Sequence, residues 1–164
     1  MPDIRQGISL SAARQRLAII WFPACALIFL ILIAQSVGGA YGDKAQTAWG
    51  WALPNFMPSL ALMMSAYAAD ALKPPDADEA SVRRAFLTLA SALSVFYLLL
   101  VILSILLQPI FGGTGPDGDP TSARLELLDL SNLWLAPLQA LVVGALGVLF
   151  FVKDDKAKEQ EAAT

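Results

Sequence analysis

Four long stretches without a charged residue decide what this chain can fold into. They cover residues 17–37, 48–69, 85–111 and 131–152, and each is dominated by apolar side chains. A helix needs about 20 mainly apolar residues to cross the roughly 30 Å hydrocarbon core of a bilayer. All four stretches have that length. The sequence therefore predicts an all-α membrane protein built as a bundle of four transmembrane helices.

The composition agrees with this fold class. The chain has 164 residues, of which 57% are hydrophobic and 15% are charged, whereas an ordinary soluble domain carries about 25% charged residues. We expect one polytopic membrane domain over residues 1–164. Residues 1–16 combine apolar side chains at helical spacing with arginines, which is typical of an amphipathic segment at a membrane surface. Residues 153–164 form a polar tail.

The basic residues predict an orientation. In chain order, the segments before, between and after the four stretches contain 3, 1, 3, 1 and 3 Lys and Arg residues. Short loops rich in Lys and Arg remain on the cytoplasmic side. We therefore expect both termini in the cytoplasm and a multi-pass protein of a bacterial plasma (inner) membrane.

Tryptophan and proline mark the outer ends of two spans. Trp and Tyr are enriched where a membrane meets water, so the tryptophans at the predicted outer ends are expected to be interface anchors. A proline inside a helix removes one hydrogen bond to the carbonyl four residues earlier, so prolines are expected to kink the helices. The anchors are Trp49, Trp51 and Trp134, and the kinks are Pro54, Pro58 and Pro137.

Pro58 raises a specific question. It leaves the carbonyl of Pro54 without its helical donor, and a freed backbone group at membrane depth must find another partner. Asn55 and Ser59 are the nearest candidates. We expect the freed carbonyl to turn toward protein or toward an aqueous vestibule, so its partner is the first place to look for function.

Two turns on the predicted outer side resemble each other. Residues 35–43 read QSVGGAYGD and residues 108–119 read QPIFGGTGPDGD. One hypothesis is a helical hairpin used twice, with the copies related by pseudo-symmetry about the membrane normal, as in some transporters. The other is convergence, because outer turns favour Gly and interfaces favour Trp. The sequence leaves both open.

The residues needed for most enzyme chemistry are missing. The chain has no His and one Cys, Cys25, so it offers no imidazole base and no thiolate cluster. The turn DGDP, residues 117–120, has too few acidic ligands for an EF-hand calcium loop. No phosphate-binding Gly-rich loop and no basic surface for nucleic acid are present. We predict no catalytic residue, no metal, no cofactor and no nucleic-acid partner.

Polar and small residues within the spans are the remaining candidate sites. Polar side chains in a membrane either bridge helices or line an aqueous path, while small residues let two helices approach closely. The polar candidates are Asn55, Ser59, Asp70, Thr88, Ser91, Asn132 and Gln139. The packing candidates are Ala136, Ala140, Gly144 and Gly147.

Three functional hypotheses follow. The first is a non-catalytic membrane protein that acts by assembly in the bilayer, with itself or with another membrane protein. The second is an oligomeric ion-conducting pore, such as an effector that depolarises a membrane. The third is a small transporter. The first stands ahead because no charged residue lies within the four stretches, whereas ion and proton paths usually contain one.

Overall fold

The computed structural model of the chain describes residues 8–72, 81–111, 113 and 118–151. Four helices account for most of them: α1 Leu10–Val37, α2 Ala45–Ala71, α3 Arg84–Phe111 and α4 Pro120–Phe151. The predicted all-α class is confirmed. The predicted tail 153–164 and residues 1–7 of the predicted amphipathic segment lie outside the described residues.

Local signals explain where α1 and α4 begin. Ser9 precedes α1, and its hydroxyl accepts a hydrogen bond from the backbone N–H of Ala12 at 3.4 Å. Pro120 is the first residue of α4, where its missing N–H leaves no bond unmade. Asp119 precedes it, and its Oδ1 accepts from the N–H of Thr121 at 2.9 Å, as a side chain at a helix N-cap does. Residues 120–130 therefore continue into the fourth span as one helix.

Three helices are long and apolar enough to cross a membrane. They are Leu10–Val37, Arg84–Ile110 and Pro120–Phe150, as in a multi-pass membrane protein. α2 is 27 residues long but is not among them. Its first half contains two prolines, Asn55 and two tryptophans, and these lower its mean hydropathy. Three of the four predicted spans are thus supported by length and composition.

The helices run alternately up and down, which places their termini in two groups. At one end Arg14 of α1 meets Asp70 and Phe150, near the last residues of α2 and α4. We call this the Arg14 end. At the other end Gln108 of α3 meets Tyr41 in the α1–α2 connection, and we call this the Tyr41 end.

A short two-stranded pairing joins two segments at the Arg14 end. β1 Ile8–Ser9 pairs antiparallel with β2 Ser81–Val82, with Ile8 opposite Val82. This pairing was not predicted from the sequence, which indicated a helical segment before the first span. It ties the start of α1 to the start of α3, so these two helices are held side by side.

The packing order of the helices does not fit the predicted two-fold symmetry. An axis along the membrane normal would exchange α1 with α3 and α2 with α4, and would make the α1–α4 and α2–α3 contacts equivalent. Instead the main contacts, besides those within each hairpin, are α1 with α3 and α2 with α4. The two tryptophans that stand three residues before Pro54 and Pro137 also differ, since Trp51 is buried and Trp134 is 44% exposed. The hairpins lie side by side, and this arrangement does not support the two-fold hypothesis.

Large side chains fill the centre of the bundle, and apolar side chains also cover its outside. Trp21, Phe56 and Tyr97 are fully buried in the core. On the outside Leu89 and Leu133 are 66% and 72% exposed. Soluble monomers rarely expose large contiguous apolar patches, so this outer surface suits lipid.

Candidate functional site

The carbonyl that Pro58 frees has a partner on another helix. The side-chain amide of Gln139, on α4, donates to the backbone oxygen of Pro54 at 2.5 Å. Two candidates predicted separately, Pro58 and Gln139, thereby belong to one arrangement. The expectation that the freed carbonyl turns toward protein is confirmed, although its partner is neither Asn55 nor Ser59. α2 continues unbroken through both prolines from Ala45 to Ala71.

A second glutamine acts in the same way at the Tyr41 end. Pro109 lies inside α3 and leaves the carbonyl of Ile105 without its helical donor. The side-chain amide of Gln35, on α1, donates to that oxygen at 3.3 Å. Each of these two prolines thus has its freed carbonyl bound by a glutamine from a neighbouring helix, which locks the register of the two helices.

Gln35 also belongs to a buried cluster with Tyr41 and Gln108. The Tyr41 hydroxyl donates to Oε1 of Gln35, and the amide of Gln108 donates to the same Oε1 at 3.1 Å. Burial raises the pKa of the Tyr41 phenol, while its hydrogen bond with Gln108 and the charge of Arg124 act in the opposite direction. The cluster therefore holds a neutral phenol that serves as a hydrogen-bonding bridge between α1 and α3.

Asn55 forms the central polar contact between α2 and α3. Its side-chain amide donates to the carbonyl of Trp51 at 2.8 Å, and the hydroxyl of Tyr97 donates to the Asn55 backbone oxygen at 2.6 Å. Trp21 lies against the Tyr97 ring, with the ring centres 6.2 Å apart. Ser59 is fully buried one turn further along, and its hydroxyl has no hydrogen-bond partner among the described residues.

Arg14 is the buried charge of the Arg14 end. Only 4% of its surface is exposed. Its Nε donates to the carbonyl of Leu149 at 3.2 Å and its Nη2 to that of Phe150 at 2.9 Å, while Nη1 pairs with Asp70. These carbonyls lie in the last turn of α4, which lacks helical donors and carries partial negative charge. Arg14 thus joins α1, α2 and α4 in a single contact.

The residues predicted either to line a pore or to bridge helices do not gather around one path, and Asn55, Asp70 and Gln139 contact neighbouring helices. Asn55 and Ser59 face the filled core, and Asp70 faces Arg14. Thr88 is exposed and its hydroxyl donates to a carbonyl of its own helix. The remaining candidates are Ser91, which is half-buried, Asn132, which is exposed, and Gln139, which binds Pro54.

The three predicted anchors occupy three different environments. Trp134 is exposed on α4. Trp49 is half-buried against Phe29, and its indole N–H donates to the hydroxyl of Ser36 at 3.1 Å. Trp51 is only 6% exposed, so its ring packs inside the bundle and does not face the outside. The reason is helical spacing: two residues apart on α2, Trp49 and Trp51 lie on different sides of the helix.

The small-residue row of α4 points away from the bundle. Ala136, Ala140 and Gly144 are exposed, and Gly147 is half-buried. A Cβ atom built on Gly144 or Gly147 meets nothing within 4 Å among the described residues. These residues therefore do not pack two helices of one chain together. α4 therefore presents small residues to the outside.

Several residues that hold the bundle together were not among the predicted sites. They include Arg14, Gln35, Tyr41, Tyr97 and Gln108. Gln35 and Gln108 are the first residues of the two similar turns. Pro109 lies four residues after Ile105, and this spacing predicts that the Ile105 carbonyl needs a donor from outside its own helix. The sequence offered no comparable signal for Tyr97, because its partner lies 42 residues away on α2.

Among the described residues, no group of three or more His, Cys, Asp and Glu side chains lies close enough to hold a metal ion. Comparisons with protein-family models, with curated proteins and with solved structures found no match to this chain.

Replacing Gln139 by Leu should remove the donor for the Pro54 carbonyl and lower the free energy of unfolding by about 1 kcal/mol. In a Pro58→Ala background the restored N–H of residue 58 can donate to the Pro54 carbonyl. Gln139→Leu should therefore lower the free energy of unfolding much less in that background. Unfolding of the four variants in detergent micelles measures this cycle. An equal loss in both backgrounds would contradict the assigned role of Gln139.

At the Tyr41 end, Asp119 links the α3–α4 connection to Lys44 in the α1–α2 connection. Its contacts predict that the stability of the fold depends on pH. Its carboxylate accepts from the N–H of Thr121, and its Oδ2 lies 3.2 Å from Lys44 Nζ; these contacts lower the Asp119 pKa below its usual value of 3.8. A lowered pKa stabilises the fold above pH 3.8, and that contribution is lost as the pH falls below it. We expect Asp119→Asn to flatten the acid limb of a thermal-stability curve measured between pH 5 and pH 2. A curve that keeps the wild-type slope would exclude this role.

Proposed function

We propose that this chain is a non-catalytic, four-span membrane protein that acts by assembling in the bilayer, with both termini in the cytoplasm. The observation that carries the proposal is the outward-facing row of Ala136, Ala140 and Gly144 on α4. Helices in lipid gain little from the hydrophobic effect on pairing, and they associate through small residues that allow close backbone contact. A small-residue row with no partner among the described residues of its own chain suits a second helix from another copy.

A fourth crossing by α2 is part of this proposal. α2 runs from the Tyr41 end to the Arg14 end, like α4, and its contacts with α4 include the bond from Gln139 to the Pro54 carbonyl. Its least apolar residue in the middle of the helix, Asn55, is covered by Tyr97 rather than exposed. Neighbouring helices thus shield Asn55 from lipid.

The proposed orientation follows the basic residues. The Arg14 end carries Arg14, Arg16, Arg83 and Arg84, whereas the described part of the Tyr41 end carries Lys44 and Arg124. The positive-inside rule favours the Arg14 end in the cytoplasm.

Single cysteines in a Cys25→Ser background test the crossings. Asp43→Cys should react with a membrane-impermeant maleimide from outside intact cells, because Asp43 is exposed at the Tyr41 end. Gln15→Cys and Leu72→Cys should react only after permeabilisation, since both are exposed at the Arg14 end. Labelling of Leu72→Cys from outside would show that α2 does not cross.

Assembly is tested by placing Leu in the small-residue row. Gly144→Leu should weaken self-association in bilayers by about tenfold, which is roughly 1.4 kcal/mol, because the added side chain keeps two backbones apart. Energy transfer between labelled copies, measured while the protein is diluted with lipid, gives the association constant. Ala68→Leu is the matched control, since Ala68 is exposed on α2 outside the row.

Unchanged association in Gly144→Leu would overturn the row as the contact, and a wild-type protein that stays monomeric at every dilution would overturn self-assembly. The pore hypothesis is not proposed, because Asn55 and Ser59 face a core filled by Trp21, Phe56 and Tyr97. Ion flux through liposomes that contain the assembled wild-type protein would support the pore hypothesis.

A further inference from the structure

A groove on the outside of the bundle runs along one face of α3 from the Arg14 end, where Ile8 of β1 and Arg16 of α1 also line it. Its volume is about 730 Å³, within the range of small-molecule sites. Arg16 and Arg84 stand at its mouth, and its wall follows one face of α3 through Val95, Phe96 and Leu99. The groove therefore combines a cationic opening with an apolar channel.

The two arginines at the mouth differ from Arg14. Arg14 is buried and paired with Asp70, whereas Arg16 and Arg84 are exposed and neither forms an ion pair with any residue that the structure describes. Arginine presents a planar set of donors that matches the oxygens of a phosphate. These two guanidinium groups are thus available to an anionic ligand.

The length of the groove matches one leaflet of a membrane. Arg84 and Leu99 are fifteen residues apart on α3, which is about 22 Å of helix at about 1.5 Å per residue. Half of a bilayer, with its headgroup region, measures roughly 20–23 Å. A phosphate held by Arg84 therefore places an acyl chain beside Val95, Phe96 and Leu99.

We propose that this groove binds one phospholipid with an anionic headgroup, which has its phosphate between Arg16 and Arg84 and one acyl chain along α3. Basic pockets between transmembrane helices at the cytoplasmic surface suit such headgroups. Thr88 and Ser91, which were predicted either to line a pore or to bridge helices, line this groove. The inference rests on membrane insertion of the chain, as proposed above, but it does not depend on assembly through α4.

The test uses the full-length protein in nanodiscs of phosphatidylcholine with a minor share of phosphatidylglycerol, and counts retained phosphatidylglycerol by native mass spectrometry. Arg84→Gln and Arg16→Gln should each lower its retention about fivefold, which is roughly 1 kcal/mol. Arg83→Gln is the matched control, because it removes the same charge from the neighbouring position but does not line the groove. It should retain phosphatidylglycerol nearly as the wild type does.

A second pair of variants fills the channel without changing charge. Ala92→Phe places a ring in the groove and should lower phosphatidylglycerol retention, whereas Ala61→Phe adds the same ring on the exposed side of α2 and should not. Soluble glycerol phosphate should fail to displace the retained lipid, because it lacks the acyl chain. Displacement by glycerol phosphate would reduce the site to an anion site and overturn the lipid proposal.

Equal losses in Arg83→Gln and Arg84→Gln would also overturn it, because they would indicate attraction to the charged surface as a whole. So would unchanged retention in both Arg84→Gln and Ala92→Phe. Failure of membrane insertion would appear separately, as wild-type protein absent from the nanodiscs, and failure of assembly would appear only in the association measurement.

Discussion

The constraint on which this bundle depends is that every backbone carbonyl surrounded by apolar side chains or lipid needs a hydrogen-bond donor. Prolines and helix ends break that condition locally, and at Pro58, at Pro109 and in the last turn of α4 polar side chains of neighbouring helices restore it. Gln139 binds the carbonyl that Pro58 frees, and Gln35 binds the one that Pro109 frees. Arg14 binds two carbonyls in the last turn of α4. Each contact joins two different helices, so satisfying the backbone also fixes how the helices pack.

This constraint changes how the polar residues of the spans are interpreted. In a chain with so few polar side chains at membrane depth, Asn55, Ser59 and Gln139 are natural candidates for an aqueous path. In the structure Asn55 and Gln139 are bound to backbone groups, and Ser59 is enclosed by the core. Their bonds stabilise the fold of one chain. The features that remain available to other molecules lie outside, on α4 and between α1 and α3.

The sequence was sufficient for the helices and for the problem that Pro58 creates, but not for its solution. Uncharged stretches and the rule that proline frees the carbonyl four residues earlier depend only on local sequence. Gln139 supplies the donor only because α4 packs beside α2, which brings Gln139 to Pro54 although the two are 85 residues apart in the chain. Trp51 shows the same limit: an interface position explains a tryptophan at a helix end, but only packing decides which of two nearby tryptophans turns inward.

The repeated turns mark a real correspondence between α1 and α3, although the packing of the helices does not support the two-fold hypothesis. Gln35 and Gln108 do occupy matching places at the ends of α1 and α3, and they are in direct contact, 3.1 Å apart. The Gln35–Gln108 contact joins α1 and α3 at the Tyr41 end, and the β1–β2 pairing joins them at the Arg14 end. Together these contacts hold the two helices parallel and adjacent along their length. That adjacency brings Arg16 of α1 to the groove that runs along α3. The small-residue row proposed for assembly lies on α4, so the proposed assembly contact and the proposed lipid groove belong to different helices.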